Sequence, residues 1–454
     1  MTAPRAGKPP SRRELHPRAR VAGRLAVPGD KSISHRALLF AALASGTSRI
    51  RGLAPGEDVA TTRRVIRALG VGTAEDGAGT LLVHGAGLAG LDRDSGAPPL
   101  ALDCRNSGTT ARLLLGLLAG RRGRFRLTGD ASLSRRPMGR VTAPLAAFGA
   151  RIEGGRTLPL DVHGTPLHAA NVAAGVASAQ VKSALCLAAL QAPGRSTIAV
   201  PGRTRDHTER MLAGLGAALR VEPAGDGERL VVDGPVEALG PLEIDVPGDP
   251  SSAAFFAALA CLLPDSRLEI EGVSLNPTRL GFFDLLGRMG ARIERRPDAG
   301  APALEPRGTL VVRSSDLTAI EVGGDDVTGA IDEIPLLAVV ASRARGTTVI
   351  RDAGELRVKE SDRIRATCAL LDAFGVAVEE RDDGLAVRGP SRPRAAAVDA
   401  AGDHRIAMCA AVLGALADGP SRLDGAHWVR VSWPSFFDEL ERLAPRRRGA
   451  ISPE

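Results

Sequence analysis

The chain repeats one structural unit six times, and this repetition constrains its fold more than any other feature. Each unit has a segment with a polar opening followed by an Ala- and Leu-rich run, beginning near Ser32, Ser107, Ser178, Ser251, Asp332 and His404. Helices that are apolar on all sides are usually buried, so these runs predict six core helices. A second helix type between them ends in Gly, which caps the helix before a new strand begins.

Short strand pairs follow the second helices and complete each unit. The segments LLVHG, RLVVDG, TLVVRS and GLAVRG predict the second strands of β-hairpins. Each unit therefore reads as strand, helix, strand, helix and hairpin over roughly 70 residues. An open solenoid is the usual alternative for repeats. The polar openings differ from copy to copy, which instead favours one shared site.

The tetrapeptide VPGD occurs at 27–30 and again at 246–249, and it divides the units three and three. We expect the chain to cross between two globular domains at these points. Domain I then comprises 1–28 and 247–454, and domain II comprises 29–246. The strand before the first VPGD should pair with the second half of the chain.

The high isoelectric point says little about the part of the chain that follows residue 24. The formal charge of +7 comes mostly from residues 1–24, where Glu14 is the only acid among seven basic residues. We expect residues 1–20 to form a disordered basic tail, with a transit peptide as the less favoured alternative. This charge distribution gives no support to nucleic-acid binding.

The cysteines and the lengths of the apolar runs indicate the cellular compartment in which we expect the chain. Five cysteines without a CxxC pair argue against a disulfide framework or a zinc site, and they favour a reducing compartment such as the cytoplasm. The sequence contains no run of about 18 apolar residues, so it predicts no membrane span.

The helix openings predict an anion site. Helix N-termini present free N–H groups and partial positive charge, and basic residues accompany many of these openings. Any single Ser or Asp there is more simply an N-cap. Lysine is rare in this chain, yet Lys31 and Lys359 both lie in dense polar motifs; Lys182 gives no such signal. Together the openings supply at least five cations, two candidate proton-transfer carboxylates and several hydrogen-bond donors, as polyanionic substrates require.

The motifs GDKSISHR, NSGTTAR, RPMGR, SAQVKSA, DEIP, RVKESDR and GDHRIAM occur in this order from about Leu25 to Leu443. They resemble those of the 3-phosphoshikimate 1-carboxyvinyltransferases (5-enolpyruvylshikimate-3-phosphate synthases), in a class II spelling. The resemblance implies a two-domain inside-out α/β barrel, the enolpyruvyl transferase fold, with three βαβαββ repeats per domain. It also implies a cytoplasmic monomer that needs neither a metal nor an organic cofactor.

The implied reaction transfers the enolpyruvyl group of phosphoenolpyruvate to the 5-hydroxyl of shikimate 3-phosphate. For shikimate 3-phosphate, the resemblance implies contacts with Lys31, Ser32, Arg36, Ser178, Ala179, Gln180, Arg205, Asp332 and Lys359. For phosphoenolpyruvate, it implies Lys31, Gly108, Arg136, Gln180, Arg363 and Arg405.

The family mechanism is addition followed by elimination. Asp332 would take the hydroxyl proton, and Glu360 would protonate the methylene carbon, with Lys31 as a further candidate. An acid that protonates carbon needs a raised pKa, which we expect burial in the closed cleft to provide.

Three positions depart from the family pattern. Ala179 and Glu355 replace Ser and Asn of class I members, and Val431 stands where many relatives have Lys, with Arg430 as a candidate substitute. The small residue Gly108 implies sensitivity to the inhibitor glyphosate.

Two rival functions remain open at this stage. The transferase acting on UDP-N-acetylglucosamine would need a Lys-Asn pair and a loop Cys, where this chain has Lys31-Ser32 and Cys104. An inactive or RNA-end-processing relative would not need Asp332, Lys359 and Glu360.

Overall fold

The computed structural model describes residues 12–77, 79–300 and 304–447. The strands are β1 (Arg12–Leu15), β2 (Ala22–Ala26), β3 (Ser45–Arg51), β4 (Gly72–Glu75), β5 (Leu81–Ala86), β6 (Leu100–Asp103), β7 (Arg124–Thr128), β8 (Arg151–Gly154), β9 (Leu160–His163), β10 (Asn171–Ala173), β11 (Gly194–Val200), β12 (Leu219–Ala224), β13 (Gly227–Gly234), β14 (Glu243–Asp245), β15 (Arg267–Ser274), β16 (Arg292–Pro297), β17 (Arg307–Arg313), β18 (Glu321–Val322), β19 (Gly346–Ile350), β20 (Val378–Arg381), β21 (Gly384–Gly389), β22 (Ala397–Asp399) and β23 (Ser421–Asp424). The α-helices are α1 (Lys31–Leu43), α2 (Glu57–Ala68), α3 (Gly108–Ala119), α4 (Gly139–Leu145), α5 (Ala179–Ala189), α6 (His207–Gly214), α7 (Pro250–Leu262), α8 (Gly281–Arg288), α9 (Asp325–Ala330), α10 (Ile334–Ala341), α11 (Arg363–Ala373), α12 (His404–Leu416) and α13 (Phe436–Leu443).

Each predicted unit forms its own small sheet. In the described chain five sheets have four strands, with orders β14-β3-β5-β4, β6-β7-β9-β8, β10-β11-β13-β12, β2-β15-β17-β16 and β18-β19-β21-β20. In each sheet the first two strands are parallel and the last two form an antiparallel hairpin. The predicted hairpins and α/β repeat are therefore confirmed.

The chain crosses between its halves at the two VPGD segments. Strand β2 pairs in parallel with β15, which confirms that the strand before the first VPGD joins the second half. Strand β14, which lies just before the second VPGD, pairs in parallel with β3 and so stays with residues 29–246. The two crossing segments lie side by side, because Gly29 and Gly248 form an antiparallel bridge.

The buried apolar side chains form two separate clusters. We call the cluster drawn from residues 15–27 and 253–444 the core of lobe I, and the cluster drawn from 33–246 the core of lobe II. Within lobe I, α7, α10 and α12 each contact the other two, which an open solenoid would not allow. We propose that the domain boundaries lie at the VPGD segments between these clusters.

Side chains just before the core helices fix where the helices begin. Asp30, Ser107, Ser178, Asp249 and Asp403 each accept a hydrogen bond from a backbone N–H in the first turn of α1, α3, α5, α7 and α12. Such caps satisfy N–H groups that have no partner within the helix. Five of the six polar openings predicted from the sequence thus contain a capping side chain, and the opening of α10 has none.

The prediction of a disordered tail over residues 1–20 is wrong for its second half. Residues 1–11 lie outside the described part of the chain, but β1 pairs antiparallel with β23 and completes the sixth sheet, β1-β23-β22. Leu15 is buried in the core of lobe I. The Arg18 guanidinium is also buried, where it donates to both carboxylate oxygens of Glu441 at 2.6 and 2.8 Å. Arg12 and Arg18 thus pair with acids distant in sequence, Asp424 and Glu441.

Candidate active site

A cavity of about 290 Å³ lies between the two lobes, and the openings of all six core helices border it. Residues at the starts of α1, α3 and α5 line it from lobe II. Residues at or just before the starts of α7, α10 and α12 line it from lobe I. Because each helix start carries partial positive charge, this arrangement favours anionic ligands.

Thirteen of the fourteen residues predicted for the site line this cavity. They are Lys31, Ser32, Gly108, Arg136, Ser178, Ala179, Gln180, Arg205, Asp332, Lys359, Glu360, Arg363 and Arg405. They come from segments hundreds of residues apart, so the fold brings them together without help from sequence proximity.

Arg36 is the exception, because its guanidinium lies behind the wall. It donates to Thr208 Oγ1 at 2.7 Å, to Ser183 Oγ at 2.6 Å and to the Ser32 carbonyl at 3.0 Å. Burial lowers the pKa of Arg36 to about 10, so the group still carries its charge at neutral pH. Direct contact between Arg36 and a substrate stays a prediction.

Lys31 and Ser32 lie at the first turn of α1. Lys31 Nζ is 3.0 Å from Asp58 Oδ2, and Ser32 Oγ accepts a hydrogen bond from Arg205 at 3.3 Å. Asp58 was not predicted for the site. An acid in the first turn of a helix, here α2, is common for electrostatic reasons, so Asp58 did not stand out as a site residue.

Cations from both lobes surround the Asp332 carboxylate. Its Oδ2 accepts from Arg205 Nη2 at 2.6 Å across the cavity, and its Oδ1 lies 3.4 Å from Arg363 Nη1. Burial raises the pKa of Asp332, but Arg405, Arg205, Lys359 and Arg363 together outweigh burial and hold it well below its usual range. The group is therefore ionised and able to accept a proton.

Glu360 occupies a similar field. Its Oε1 is 3.3 Å from Arg136 Nη1 of lobe II, and its Oε2 is 2.6 Å from Arg363 Nη2. Burial raises the pKa of Glu360, but Arg363, Arg136, His404 and Lys31 hold it well below the usual range. The expectation of a raised pKa is therefore wrong in this structure, because the neighbouring cations outweigh desolvation.

Arg112 belongs to the same wall, although it was not predicted as a site residue. Its Nη1 donates to Gln180 Oε1 at 2.6 Å, while Gln180 Nε2 donates to Thr109 Oγ1 at 2.9 Å. A Cβ at Gly108 would lie only 3.0 Å from Arg112 Nη1, so glycine makes room for this guanidinium. The spacing of Gly108 and Arg112, one helical turn, could have revealed it.

Acids behind the wall hold the lobe I cations in place. Arg363 Nε donates to Asp403 Oδ2 at 2.7 Å, and Asp403 also caps α12. Arg405 Nη1 donates to the Asp332 carbonyl at 2.8 Å and to Glu333 Oε1 at 3.1 Å. These contacts hold both guanidinium groups at the cavity wall.

Arg140 and Glu355 form a further pair at the cavity, with Arg140 Nη1 2.5 Å from Glu355 Oε1. The same oxygen of Glu355 lies 3.9 Å from Lys359 Nζ. Glu355 replaces a class I Asn, and Arg140 was not predicted for the site. Pro137 separates Arg140 from Arg136, so helical spacing gave no sign of it.

Three other notable positions lie away from the cavity. Lys182 is fully buried between Glu209 and Glu228, which explains its retention structurally. Neither Arg430 nor Val431 lines the cavity, so a part for Arg430 in the site stays a prediction. The Val431 carbonyl instead packs so closely on Gly56 of lobe II that any side chain at position 56 would collide with it.

Within residues 12–77, 79–300 and 304–447, no group of three or more His, Cys, Asp or Glu side chains could hold a metal ion. No helix in these ranges is long and apolar enough to cross a membrane.

Comparison with known proteins gives one consistent family. The family of EPSP synthase (3-phosphoshikimate 1-carboxyvinyltransferase) matches residues 15–440. The 3-phosphoshikimate 1-carboxyvinyltransferase of Synechococcus sp. (strain RCC307) is 49% identical over 430 residues, covering 93% of this chain and 96% of that protein. The Bacillus subtilis (strain 168) protein of the same name is 42% identical over 428 residues, covering 93% and 97%.

Solved structures agree with the sequence matches. EPSP synthase from Acinetobacter baumannii superposes with a TM-score of 0.82 at 36% identity, covering 95% of this chain and 98% of that one. The enolpyruvyl transferase NikO from Streptomyces tendae shares the fold, with a TM-score of 0.75 at 22% identity, over 96% of this chain and 98% of its own. The chain belongs to the EPSP synthase (3-phosphoshikimate 1-carboxyvinyltransferase) family.

Proposed function

We propose that this chain transfers the enolpyruvyl group of phosphoenolpyruvate to the 5-hydroxyl of shikimate 3-phosphate, releasing phosphate, in the route to chorismate and the aromatic amino acids. The observation that carries this proposal is a single cavity in which cations and helix starts from both lobes surround two partly buried carboxylates, Asp332 and Glu360. Two anionic substrates and two proton transfers need that combination.

Shikimate 3-phosphate binds mainly on lobe II. Its phosphate accepts hydrogen bonds from Ser178, the Ala179 backbone and Gln180 at the start of α5, with Arg205 as the charged partner. Lys31 and Ser32 contact the same substrate from α1. Asp332 and Lys359 approach its hydroxyl groups from lobe I.

Phosphoenolpyruvate binds between the lobes. Arg136 and the glycine backbone at Gly108 hold it from lobe II, while Arg363 and Arg405 hold it from lobe I, and Lys31 reaches both substrates. A guanidinium group can grip a carboxylate or a phosphate through two parallel hydrogen bonds. Placing both substrates in one closed cavity removes much of the entropic barrier to their reaction.

The reaction proceeds by addition and then elimination. The 5-oxygen attacks C2 of phosphoenolpyruvate, its proton passes to Asp332, and the methylene carbon takes a proton from Glu360 or Lys31. The tetrahedral ketal phosphate then loses phosphate from C2, and the proton held by Asp332 passes to the departing phosphate. The group that protonated the methylene carbon takes a proton back from the methyl group, which restores the double bond. The surrounding cations stabilise the charge on phosphate and carboxylate.

Substrate binding prepares both carboxylates for their roles. Arg205 pairs with Asp332, and Arg136 pairs with Glu360. When substrate anions take these guanidinium groups, the positive field at each carboxylate weakens and its pKa rises. Asp332 thereby becomes a stronger base, and Glu360 becomes able to carry the proton that it donates.

We place this reaction in the cytoplasm and propose that the enzyme acts as a monomer. All five cysteines are buried free thiols, as suits a reducing compartment. The cavity walls come from one chain, so a second copy is not needed to complete the site.

Steady-state phosphate release tests the function. The purified chain is mixed with phosphoenolpyruvate and either shikimate 3-phosphate or UDP-N-acetylglucosamine, and free phosphate is measured. We expect release with shikimate 3-phosphate and none above background with the nucleotide sugar or without an acceptor. Phosphate release with UDP-N-acetylglucosamine but not with shikimate 3-phosphate would instead support the rival function, enolpyruvyl transfer to the nucleotide sugar.

A further inference from the structure

Three ion pairs of the described chain cross the cavity, and in each the cation belongs to lobe II and the carboxylate to lobe I. They are Arg205–Asp332 at 2.6 Å, Arg136–Glu360 at 3.3 Å and Arg140–Glu355 at 2.5 Å. These pairs draw the lobes together across the cavity.

The first two pairs cannot persist unchanged during the reaction. Arg205 and Arg136 must turn to the substrate anions, and Asp332 and Glu360 must exchange protons. Neither member of the Arg140–Glu355 pair has a role toward a substrate in the proposed function. This pair can therefore remain formed while both substrates are bound.

The Arg140–Glu355 pair also reaches the acceptor end of the site. Glu355 Oε1 accepts from Arg140 and faces Lys359 Nζ at 3.9 Å, four residues along the chain. One carboxylate oxygen thus connects an arginine of lobe II with a lysine of lobe I. Arg140 is 18% exposed and Glu355 is 42% exposed, so the pair lies toward the solvent side of the cavity.

We propose that Arg140 and Glu355 are positioning residues whose cross-cavity ion pair places Lys359 beside the acceptor hydroxyl groups and couples this placement to lobe closure. The proposal rests on the proposed function, because it assigns Lys359 to shikimate 3-phosphate. It gives Glu355, which departs from the class I pattern, a definite role.

The electrostatics of Lys359 agree with this geometry. Burial lowers the pKa of Lys359, and the neighbouring carboxylates of Asp332, Glu355 and Glu360 oppose that shift, while Arg363 adds to it. Replacing the Glu355 carboxylate by an amide removes one opposing charge. The pKa of Lys359 should then fall further, and the lysine should lose its proton at a lower pH.

A double-mutant cycle tests the pair. Glu355→Gln, Arg140→Gln and the double variant are compared in the phosphate-release assay, with each substrate varied in turn. We expect each single variant to lose roughly three- to tenfold in kcat/KM for shikimate 3-phosphate. The double variant should lose no more than either single variant, because all three lack the same pair. KM for phosphoenolpyruvate should stay within about twofold of wild type.

The pH profile of kcat separates positioning from a general structural effect. In Glu355→Gln the alkaline limb should move to lower pH. Glu439→Gln, which removes a partly exposed carboxylate from its pair with Arg442 in α13, is the matched control and should behave as wild type.

Three results would each overturn the inference: single variants with wild-type rates, losses that multiply in the double variant, or a loss confined to Glu355→Gln. A wild-type chain without acceptor-dependent phosphate release would instead remove the proposed function. The two failures are therefore distinguishable.

Discussion

At the scale of single residues, the carboxylates of Asp332 and Glu360 keep their negative charges because cationic side chains surround them. The balance between burial and these cations governs the chemistry. Desolvation alone would make both carboxyl groups poor anions, yet the neighbouring guanidinium and ammonium groups keep them ionised. The same cations are the proposed ligands of the substrates. Substrate binding and proton affinity are therefore linked through Arg136, Arg205 and Arg363.

Proton uptake on ligand binding checks this linkage. We expect the Asp332→Asn variant, which should bind without fast turnover, to take up protons when both substrates bind, because the pKa of Glu360 rises as anions occupy Arg136 and Arg363. Calorimetry in two buffers with different ionisation enthalpies measures the uptake. Adding Glu360→Gln to the same variant should reduce it, and equal uptake with and without Glu360 would refute the linkage.

Most residues of the candidate site could be predicted because they lie in compact motifs at helix openings, where several polar side chains stand within a few positions. Asp58, Arg112 and Arg140 were missed for a different reason. Their roles depend on partners from other segments, such as Lys31, Gln180 and Glu355. The lowered pKa of Glu360 could not be predicted from the sequence either, because it depends on where Arg136 and Arg363 lie in space.

At the scale of helices and strands, local sequence signals explain why the repeat could be predicted from the sequence. An Asp or Ser cap, an apolar run and a terminal Gly all act within about one helical turn, so they identify the core helices without tertiary information. Strand β1 gave no such signal. Its sequence RREL is charged, and it becomes a strand only because β23, distant in sequence, offers a free edge.

The N-terminal segment should contribute to stability through Arg18. Hydrogen bonds from Arg18 lower the pKa of Glu441 to about 2 from its usual 4.5, so their stabilisation is present above pH 4.5 and is lost as pH falls toward 2. We expect Arg18→Met to lower the free energy of unfolding by about 1 to 3 kcal/mol at pH 7, toward the lower end because Glu441 is partly exposed.

Urea unfolding of wild type and Arg18→Met at several pH values measures this effect. The difference between the two proteins should shrink as pH falls from 4.5 toward 2. A difference that stays constant over that range would show that Arg18 acts through packing and not through its pair with Glu441.

At the scale of the whole molecule, the two crossings between lobes are joined by one buried arginine. Arg279 Nε is 3.0 Å from Asp30 Oδ2, and its Nη2 is 2.7 Å from Asp249 Oδ1. The two aspartates are the acids of the repeated VPGD segments and cap α1 and α7. This cluster fixes the first turns of both helices relative to each other at the base of the cavity.

Removing Arg279 should destabilise the chain strongly. We expect Arg279→Gln to lower the free energy of unfolding by about 3 to 5 kcal/mol, because it leaves two buried carboxylates without their guanidinium partner. Arg288→Gln, which breaks an exposed pair with Asp326, should cost less than about 1 kcal/mol. Equal losses in urea unfolding would contradict the role given to the buried cluster.

The most direct test of the account is a single turnover of 13C-labelled phosphoenolpyruvate, followed by NMR with enzyme in excess over both substrates. We predict that the wild-type chain converts the label to the enolpyruvyl ether, with phosphate, only when shikimate 3-phosphate is present. Asp332→Asn should bind both substrates but convert them at least roughly 100-fold more slowly. Conversion without shikimate 3-phosphate, or wild-type conversion by Asp332→Asn, would contradict the claim that this cavity between the lobes is the active site.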